Sequence, residues 1–124
     1  MKGKWHLALG AEGEERALKY LEEKGYKILE KNWKRKFGEI DIVAGDPEGA
    51  LVIVEVKTMR FSGGGFVPED NMTREKMAKF KRAATAYANQ HPSLILEKRG
   101  WRCDVLALTK VENNYIIKHY ENVQ

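Results

Sequence analysis

Apolar residues recur at helical spacing in two segments and at strand spacing in five others, and these patterns predict the secondary structure of the chain. The first helix is expected from about Leu7 to Lys24, where Gly25 provides a stop. The second is expected to begin after a capping residue, Thr73, and to end at about Asn89. Strands are expected at 26–31, 37–44, 50–58, 101–109 and 115–120.

This order, αβββαββ, is typical of an α/β domain built on a mixed sheet of four or five strands with helices on its faces. No linker or internal repeat interrupts it, so residues 1–124 are expected to form a single domain. The strand at 50–58 has apolar residues on both faces and is therefore expected to be central. Residues 61–71, which include three consecutive glycines, are expected to form a mobile loop.

Three charged residues on the second and third strands carry the most informative chemistry. Asp41 lies in one strand and Glu55 and Lys57 in the next, where strand alternation places Glu55 and Lys57 on the same face. A hairpin between the strands would bring Asp41 toward Glu55 if the register allows it. Two carboxylates and a backbone carbonyl would suit Mg²⁺ or Mn²⁺, and a lysine beside them could position water or neutralise a phosphate. Together they would suit metal-assisted phosphodiester cleavage.

The competing interpretation is that Glu55 and Lys57 simply form a solvated strand face. Two observations argue against it. Both residues continue a strand that is apolar on both faces, where unsatisfied charges are costly. A further carboxylate, Glu14, falls on the apolar stripe of the first helix, where it is out of place unless something satisfies it.

The net charge of +4 is distributed unevenly along the chain. Residues 1–36 carry +4, residues 37–70 carry −5 and residues 71–124 carry +5. The acidic middle contains the proposed site, and the basic flanks are candidate phosphate-binding walls around it. Four other acidic residues of the middle segment are expected to be ordinary turn and loop charges: Asp46, Glu48, Glu69 and Asp70.

Lys34, Arg35 and Lys36 form a basic run with Trp33 beside it, and this combination suits phosphate contact and base stacking. A solvated face is the equal alternative. Because no recognition helix or zinc module is visible, recognition of nucleic-acid structure such as junctions, flaps or single strands is expected, rather than of base sequence.

Other residue types exclude several classes of protein. The single cysteine excludes a disulfide framework, and Cys103 is expected to lie in the core. His6, His91 and His119 lack metal-binding spacing and are expected at the surface or at helix ends. No segment is apolar enough to span a membrane and no signal peptide is evident, so a cytoplasmic protein is expected.

Several segments, in order, resemble one known family: GAEGEERALKYLEEKGYKIL, NWK, GEIDIVA, LVIVEVKT, TREKMAKFKRAA and WRCDVLAL. The chain resembles the YraN-like family of small bacterial proteins, predicted endonucleases related to archaeal Holliday junction resolvases. The resemblance covers about Leu7 to Leu108. It implies the PD-(D/E)XK, restriction-endonuclease-like fold, a mixed sheet flanked by helices.

The resemblance also implies residue roles. Glu14 would be the helix acid, reaching the metal directly or through water, Asp41 and Glu55 the metal ligands, and Lys57 the catalytic lysine. Further positions would contact the DNA backbone, namely Lys76, Lys79 and Arg102. Asp104 would have a structural role or would shape the site. Ile40 replaces the proline for which the superfamily is named, and Met59 separates Lys57-Thr58 from Arg60, which leaves the role of Arg60 open.

The predicted function is therefore a Mg²⁺- or Mn²⁺-dependent endonuclease acting on DNA, with a preference for branched or junction structures. The alternative is a nucleic-acid-binding module that retains the nuclease fold without turnover. RNA as substrate stays open. Because junction resolvases cut two strands as symmetric dimers, a homodimer is a further hypothesis.

Overall fold

A computed structural model of the protein describes the backbone of residues 2–62, 65–68 and 73–123, and the side chains of residues 10–59 and 73–123. Its elements are α1 (Lys2–Glu23), β1 (Lys27–Arg35), β2 (Gly38–Gly45), β3 (Leu51–Ser62), β4 (Gly65–Pro68), α2 (Arg74–Gln90), a 3₁₀ turn (Pro92–Leu94), β5 (Trp101–Val111) and β6 (Asn114–Tyr120). Neither α-helix is long and apolar enough to cross a lipid bilayer. The predicted order αβββαββ is confirmed, with β4 as an addition.

The strands form one mixed sheet in the order β1-β2-β3-β5-β6, with β4 also paired to β3. Strands β3 and β5 are parallel, and the other pairs are antiparallel. The predicted central position of β3 is confirmed, because it pairs with β2 on one side and with β5 on the other. As predicted, the Thr73 hydroxyl caps α2 by accepting a hydrogen bond from the backbone N–H of Lys76 at 3.1 Å.

The prediction of a loop over 61–71 is wrong in its first part. Strand β3 continues to Ser62, and β4 returns antiparallel to it, with Met59 opposite Pro68 and Ser62 opposite Gly65. Aromatic and branched residues on both sides of the glycines favour such a pair of strands. Residues 63, 64 and 69–72 lie outside the described part of the chain, as do the side chain of Arg60 and the charges predicted at Glu69 and Asp70.

Apolar side chains from alternate positions of β3 form two cores, one on each face of the sheet. Leu51 and Ile53 belong to the core under α2, with Phe80, Tyr87 and other residues. Val52 and Val54 belong to the core under α1, with Ala17, Leu21 and others. The predicted core position of Cys103 is confirmed, and burial raises the pKa of its thiol to about 11.

Candidate active site and basic groove

The pairing of strands β2 and β3 ends at the two predicted metal ligands. Their ladder runs from Gly45 opposite Leu51 to Ile42 opposite Val54, and Asp41 and Glu55 occupy the next position. There the Asp41 carboxylate replaces a backbone carbonyl as hydrogen-bond acceptor, because its Oδ2 accepts a hydrogen bond from the backbone N–H of Val56 at 2.8 Å. Asp41 is thus held against the β3 backbone between Glu55 and Lys57.

The side chains of β2 also change faces at Asp41. Ile42 packs in the core under α1, whereas Ile40, two residues earlier, packs in the core under α2. In a regular strand these two side chains would share a face. The neighbouring strand β1 is irregular at the same level, since Asn32 adopts a left-handed backbone conformation with φ of 53°. Asp41 and its hydrogen bond therefore lie where β2 changes the face to which its side chains point.

Glu14 approaches this site from α1. Helix α1 lies so close to β3 that a Cβ added to Gly13 would be 2.5 Å from Thr58 Oγ1. Glu14, the next residue, is half-buried, and burial followed by the negative charge of Asp41 raises the pKa of its carboxyl, although a hydrogen bond with the Asn32 side chain opposes this. The carboxylate on the apolar helical stripe therefore lies near Asp41.

Glu55 is half-buried and opens on the other side of the sheet into a groove of about 720 Å³ between the β1–β2 hairpin and α2. Six basic side chains line this basic groove: Lys34, Arg35, Lys36, Lys76, Lys79 and Arg82. Its other lining residues are Phe37, Gly38, Glu39, Glu55 and Phe80. Lys57 lies two residues beyond Glu55 on β3 and is also half-buried. The structure thus brings five of the six predicted nucleic-acid-binding residues together with a predicted metal ligand.

Arg102, the sixth predicted nucleic-acid-binding residue, does not line this groove. Its side chain is only 18% exposed and lies on the α1 side of the sheet, where it forms an ion pair with Asp46 at 2.7 Å and another with Asp104 at 3.0 Å. A third contact runs to the Tyr26 hydroxyl at 2.9 Å. The charge of Arg102 is therefore used within the fold, and contact of Arg102 with a DNA backbone stays a prediction that this arrangement does not favour.

Asp104 is fully buried and lies at the centre of that network. Burial opposes its charge, but hydrogen bonds from His119, from the backbone of Asn122 and from Arg102 lower the pKa of its carboxyl. His119 links Asp104, at 2.7 Å, to the Tyr20 hydroxyl, at 3.1 Å. The network explains the structural role predicted for Asp104.

Two simpler predictions are wrong for the same reason. Asp46 is not an ordinary turn charge, since it is largely buried against Arg102 and also accepts hydrogen bonds from the backbone of Glu48 and Ala50. His119 is not a surface residue, since its side chain is 11% exposed between Asp104 and Tyr20. His91 caps the end of α2 as expected, and the side chain of His6 lies outside the described part.

Trp33, for which the sequence left base stacking and a solvated face as equal alternatives, is in fact buried. It is 3% exposed and packs edge-on against Tyr87 with ring centres 5.4 Å apart. The exposed aromatic residue of the hairpin is Phe37, which sequence reasoning missed together with Arg82. Arg82 follows Lys76 and Lys79 at helical spacing, so its presence in the groove could have been inferred from periodicity.

No three Asp, Glu, His or Cys residues lie close enough together to hold a metal ion among the side chains that the structure describes. Glu14, Asp41 and Glu55 therefore do not form a compact three-carboxylate cluster. Asp41 and Glu55 remain adjacent in register beside the Val56 carbonyl, a donor set made entirely of oxygen.

Comparison with known proteins places the chain in a family. A model of the uncharacterised protein family UPF0102 matches residues 13–108. A UPF0102 protein of Desulforamulus reducens is 44% identical over 93% of this chain and 93% of its own length. Another, of Thermodesulfovibrio yellowstonii, is 42% identical over 94% of this chain and 95% of its own. A third, of Persephonella marina, is 38% identical over 91% of this chain and 90% of its own length. The matched segment includes Glu14, Asp41, Glu55 and Lys57, and the chain belongs to the UPF0102 family.

Proposed function

We propose that the protein is a metal-dependent nuclease that hydrolyses phosphodiester bonds of DNA, with a preference for branched or otherwise non-duplex structures. One observation carries the proposal. Two carboxylates, Asp41 and Glu55, lie at the point where β2 and β3 separate, and Glu55 lines a groove with six basic side chains. Carboxylates suit a divalent cation and the basic side chains suit the phosphates of a polyanion.

The donor set fits Mg²⁺ or Mn²⁺. Asp41 uses Oδ2 for the Val56 N–H, so that Oδ1, the Glu55 carboxylate and the Val56 carbonyl are the candidate ligand atoms. Mg²⁺ is commonly held by one or two carboxylates, with waters and substrate phosphate completing its shell, so a three-carboxylate cluster is not required. When bound, the ion would polarise the scissile phosphate and lower the pKa of a bound water.

The protein's own residues would then have separate roles in catalysis. Lys57 orients the attacking water and neutralises charge that develops on the phosphate. The basic groove holds the flanking phosphates and so positions the strand across Glu55. Glu14, whose pKa is raised, provides a carboxyl that can hold a proton beside Asp41.

Cleavage of end-labelled DNA tests this proposal. A panel of four-way junction, flap, single-stranded and duplex DNA is incubated with Mg²⁺, Mn²⁺ or EDTA. We expect cleavage that requires the metal and falls at least about 100-fold in Asp41→Asn, Glu55→Gln and Lys57→Met. Asn retains an oxygen that can accept the Val56 hydrogen bond, so the fold is preserved. Exposed Glu97→Gln and Lys98→Met are matched controls outside the groove. Equal cleavage by all variants would contradict the proposal.

A non-catalytic nucleic-acid-binding module is the second candidate. The observation that favours it is that the described side chains contain no three-residue metal cluster. It predicts salt-sensitive binding with no cleavage of any substrate and no Mg²⁺ or Mn²⁺ binding by calorimetry, with or without DNA. A metal-binding isotherm that Asp41→Asn and Glu55→Gln abolish would exclude it.

A further inference from the structure

Phe37 lies at the tip of the β1–β2 hairpin between two hollows in the surface. Phe37 is 48% exposed and forms part of the basic groove. On its other side a hollow of about 480 Å³ follows α2, lined by Phe37, Lys81, Arg82, Thr85, Ala86 and Asn89. Phe37 and Arg82 belong to both, so this α2 hollow continues the basic groove past the Phe37 ring.

The Phe37 ring is held in place from below. The buried Trp33 ring contacts it edge-on, with centres 6.2 Å apart and planes inclined at 65°. The hairpin itself lies directly on α2, since a Cβ added to Gly38 would be only 3.1 Å from the Cβ of Ala83. An exposed aromatic ring that is already fixed loses little conformational entropy when a ligand stacks on it.

The α2 hollow is suited to a flat ring with a polar edge. The Thr85 hydroxyl donates a hydrogen bond to the Lys81 carbonyl at 2.9 Å, so it is used within the helix. The exposed Asn89 carries an amide that can donate and accept hydrogen bonds, as a base edge requires. Lys81 and Arg82 supply positive charge, and Arg82 also lines the basic groove.

We propose that the α2 hollow is a subsite for one unpaired nucleobase, which stacks on Phe37 while the phosphates of its strand lie in the basic groove. The inference rests on the nucleic-acid binding of the proposed function and does not depend on cleavage. The base must be unpaired, because in a duplex both of its faces are already stacked. A subsite of this kind gives selectivity for flaps, junctions and single strands without reading sequence.

Binding in EDTA tests the subsite separately from catalysis. Single-stranded and fully paired DNA of equal length are titrated with the wild type and with Phe37→Ala, Phe37→Trp and Tyr120→Ala. Phe37→Ala should weaken single-strand binding by about tenfold or more and duplex binding by less than about twofold, since a stacked base contributes about 1–3 kcal/mol. Phe37→Trp, which keeps an aromatic ring at this position, should retain the single-strand affinity of the wild type. Tyr120 is an equally exposed aromatic residue on β6, at the opposite edge of the sheet, and its loss should change neither affinity.

A fluorescent base analogue, 2-aminopurine, placed in the single strand reports stacking directly. Its fluorescence should be quenched on binding the wild type and not on binding Phe37→Ala. Equal weakening of both DNAs, or unchanged single-strand affinity in Phe37→Ala, would overturn the subsite. Selective weakening without any cleavage in Mg²⁺ would support the subsite and exclude the nuclease. Absence of binding by the wild type would overturn both.

Discussion

Asp41 links the local geometry of the sheet to its chemistry at the scale of single residues. In a continuing antiparallel ladder, the Val56 N–H would be expected to pair with a backbone carbonyl of β2. The Asp41 carboxylate accepts it instead, at 2.8 Å, at the position where the ladder ends. One side chain therefore satisfies a backbone donor where the strands separate, and keeps a second oxygen for a ligand. The nearby Glu14 illustrates the cost of a half-buried carboxyl beside Asp41.

Glu14 should reduce the stability of the fold at neutral pH. Burial, followed by the charge of Asp41, raises its pKa above the ordinary value of 4.5. Below that value Glu14 is protonated in the folded and the unfolded protein, so no cost arises. Above the folded pKa the charged form is disfavoured only in the folded protein, so stability is lost as pH rises through that value. We expect Glu14→Gln to have a higher Tm than the wild type at pH 7, with the difference shrinking toward zero at pH 4.

Thermal unfolding followed by circular dichroism between pH 4 and pH 8 measures this difference. Glu15→Gln is the matched control, since Glu15 is exposed on the same turn of α1. A Tm for Glu14→Gln below that of the wild type at every pH would show that Glu14 stabilises the fold instead. Lower activity together with higher stability would fit a functional site maintained at the expense of stability.

At the scale of elements, the close packing of α1 on β3 depends on a glycine, which has no side chain. Gly13 faces Thr58, and its Cβ would lie 2.5 Å from Oγ1, whereas a Cβ at Gly10 would meet no atom within 4 Å. Gly13→Ala should therefore lower the free energy of unfolding by about 1–3 kcal/mol through overpacking. Gly10→Ala, in the same helix, should raise it by about 0.5–1 kcal/mol, because alanine is the better helix former.

Urea unfolding of the two variants measures both signs. Thr58→Ala removes the Oγ1 and Cγ2 atoms that the new methyl group would meet, so Gly13→Ala should cost less in that background than in the wild type. A similar loss in both backgrounds would mean that the clash with Thr58 is not the cause.

The elements also show which features the sequence could predict. Local alternation and capping were enough for the order αβββαββ, the central position of β3 and the placement of Asp41, Glu55 and Lys57 on neighbouring strands. The turnover of β2 at Asp41 depends on sheet geometry, with Asn32 in a left-handed conformation beside it, and no local pattern encodes it. For the same reason sequence alone could not decide that Trp33 is buried and Phe37 exposed, since a strand that bends changes which face its side chains occupy.

On the scale of the whole molecule, charge is sorted by tertiary structure. The basic runs at Lys34–Lys36 and on α2 are about 40 residues apart in the sequence, yet they form the two walls of one groove. Arg102, equally basic, is neutralised within the fold by Asp46 and Asp104. The net charge of +4 therefore understates the positive field that a polyanion would meet at the groove.

This arrangement predicts how nucleic-acid affinity responds to salt. Each lysine that neutralises a phosphate of a single strand releases about 0.7 counterion, so its loss should reduce the slope of log K against log salt concentration by that amount. Lys36 and Lys79 lie on opposite walls of the groove, and both are exposed. Each single change to alanine should make the negative slope shallower by about 0.7. The double variant should make it shallower by about 1.4, because the two contacts are independent.

Fluorescence anisotropy of labelled single-stranded DNA in EDTA, between about 50 and 200 mM KCl, gives the slopes. Lys118→Ala is the matched control, since Lys118 is exposed on β6, at the far edge of the sheet from the β1–β2 hairpin. If Lys118→Ala lowered the slope as much as Lys36→Ala or Lys79→Ala, binding would depend on net charge alone rather than on the groove. If the groove variants lost slope and Lys118→Ala did not, the two walls would act as one phosphate-binding surface, placed to hold a strand across Glu55.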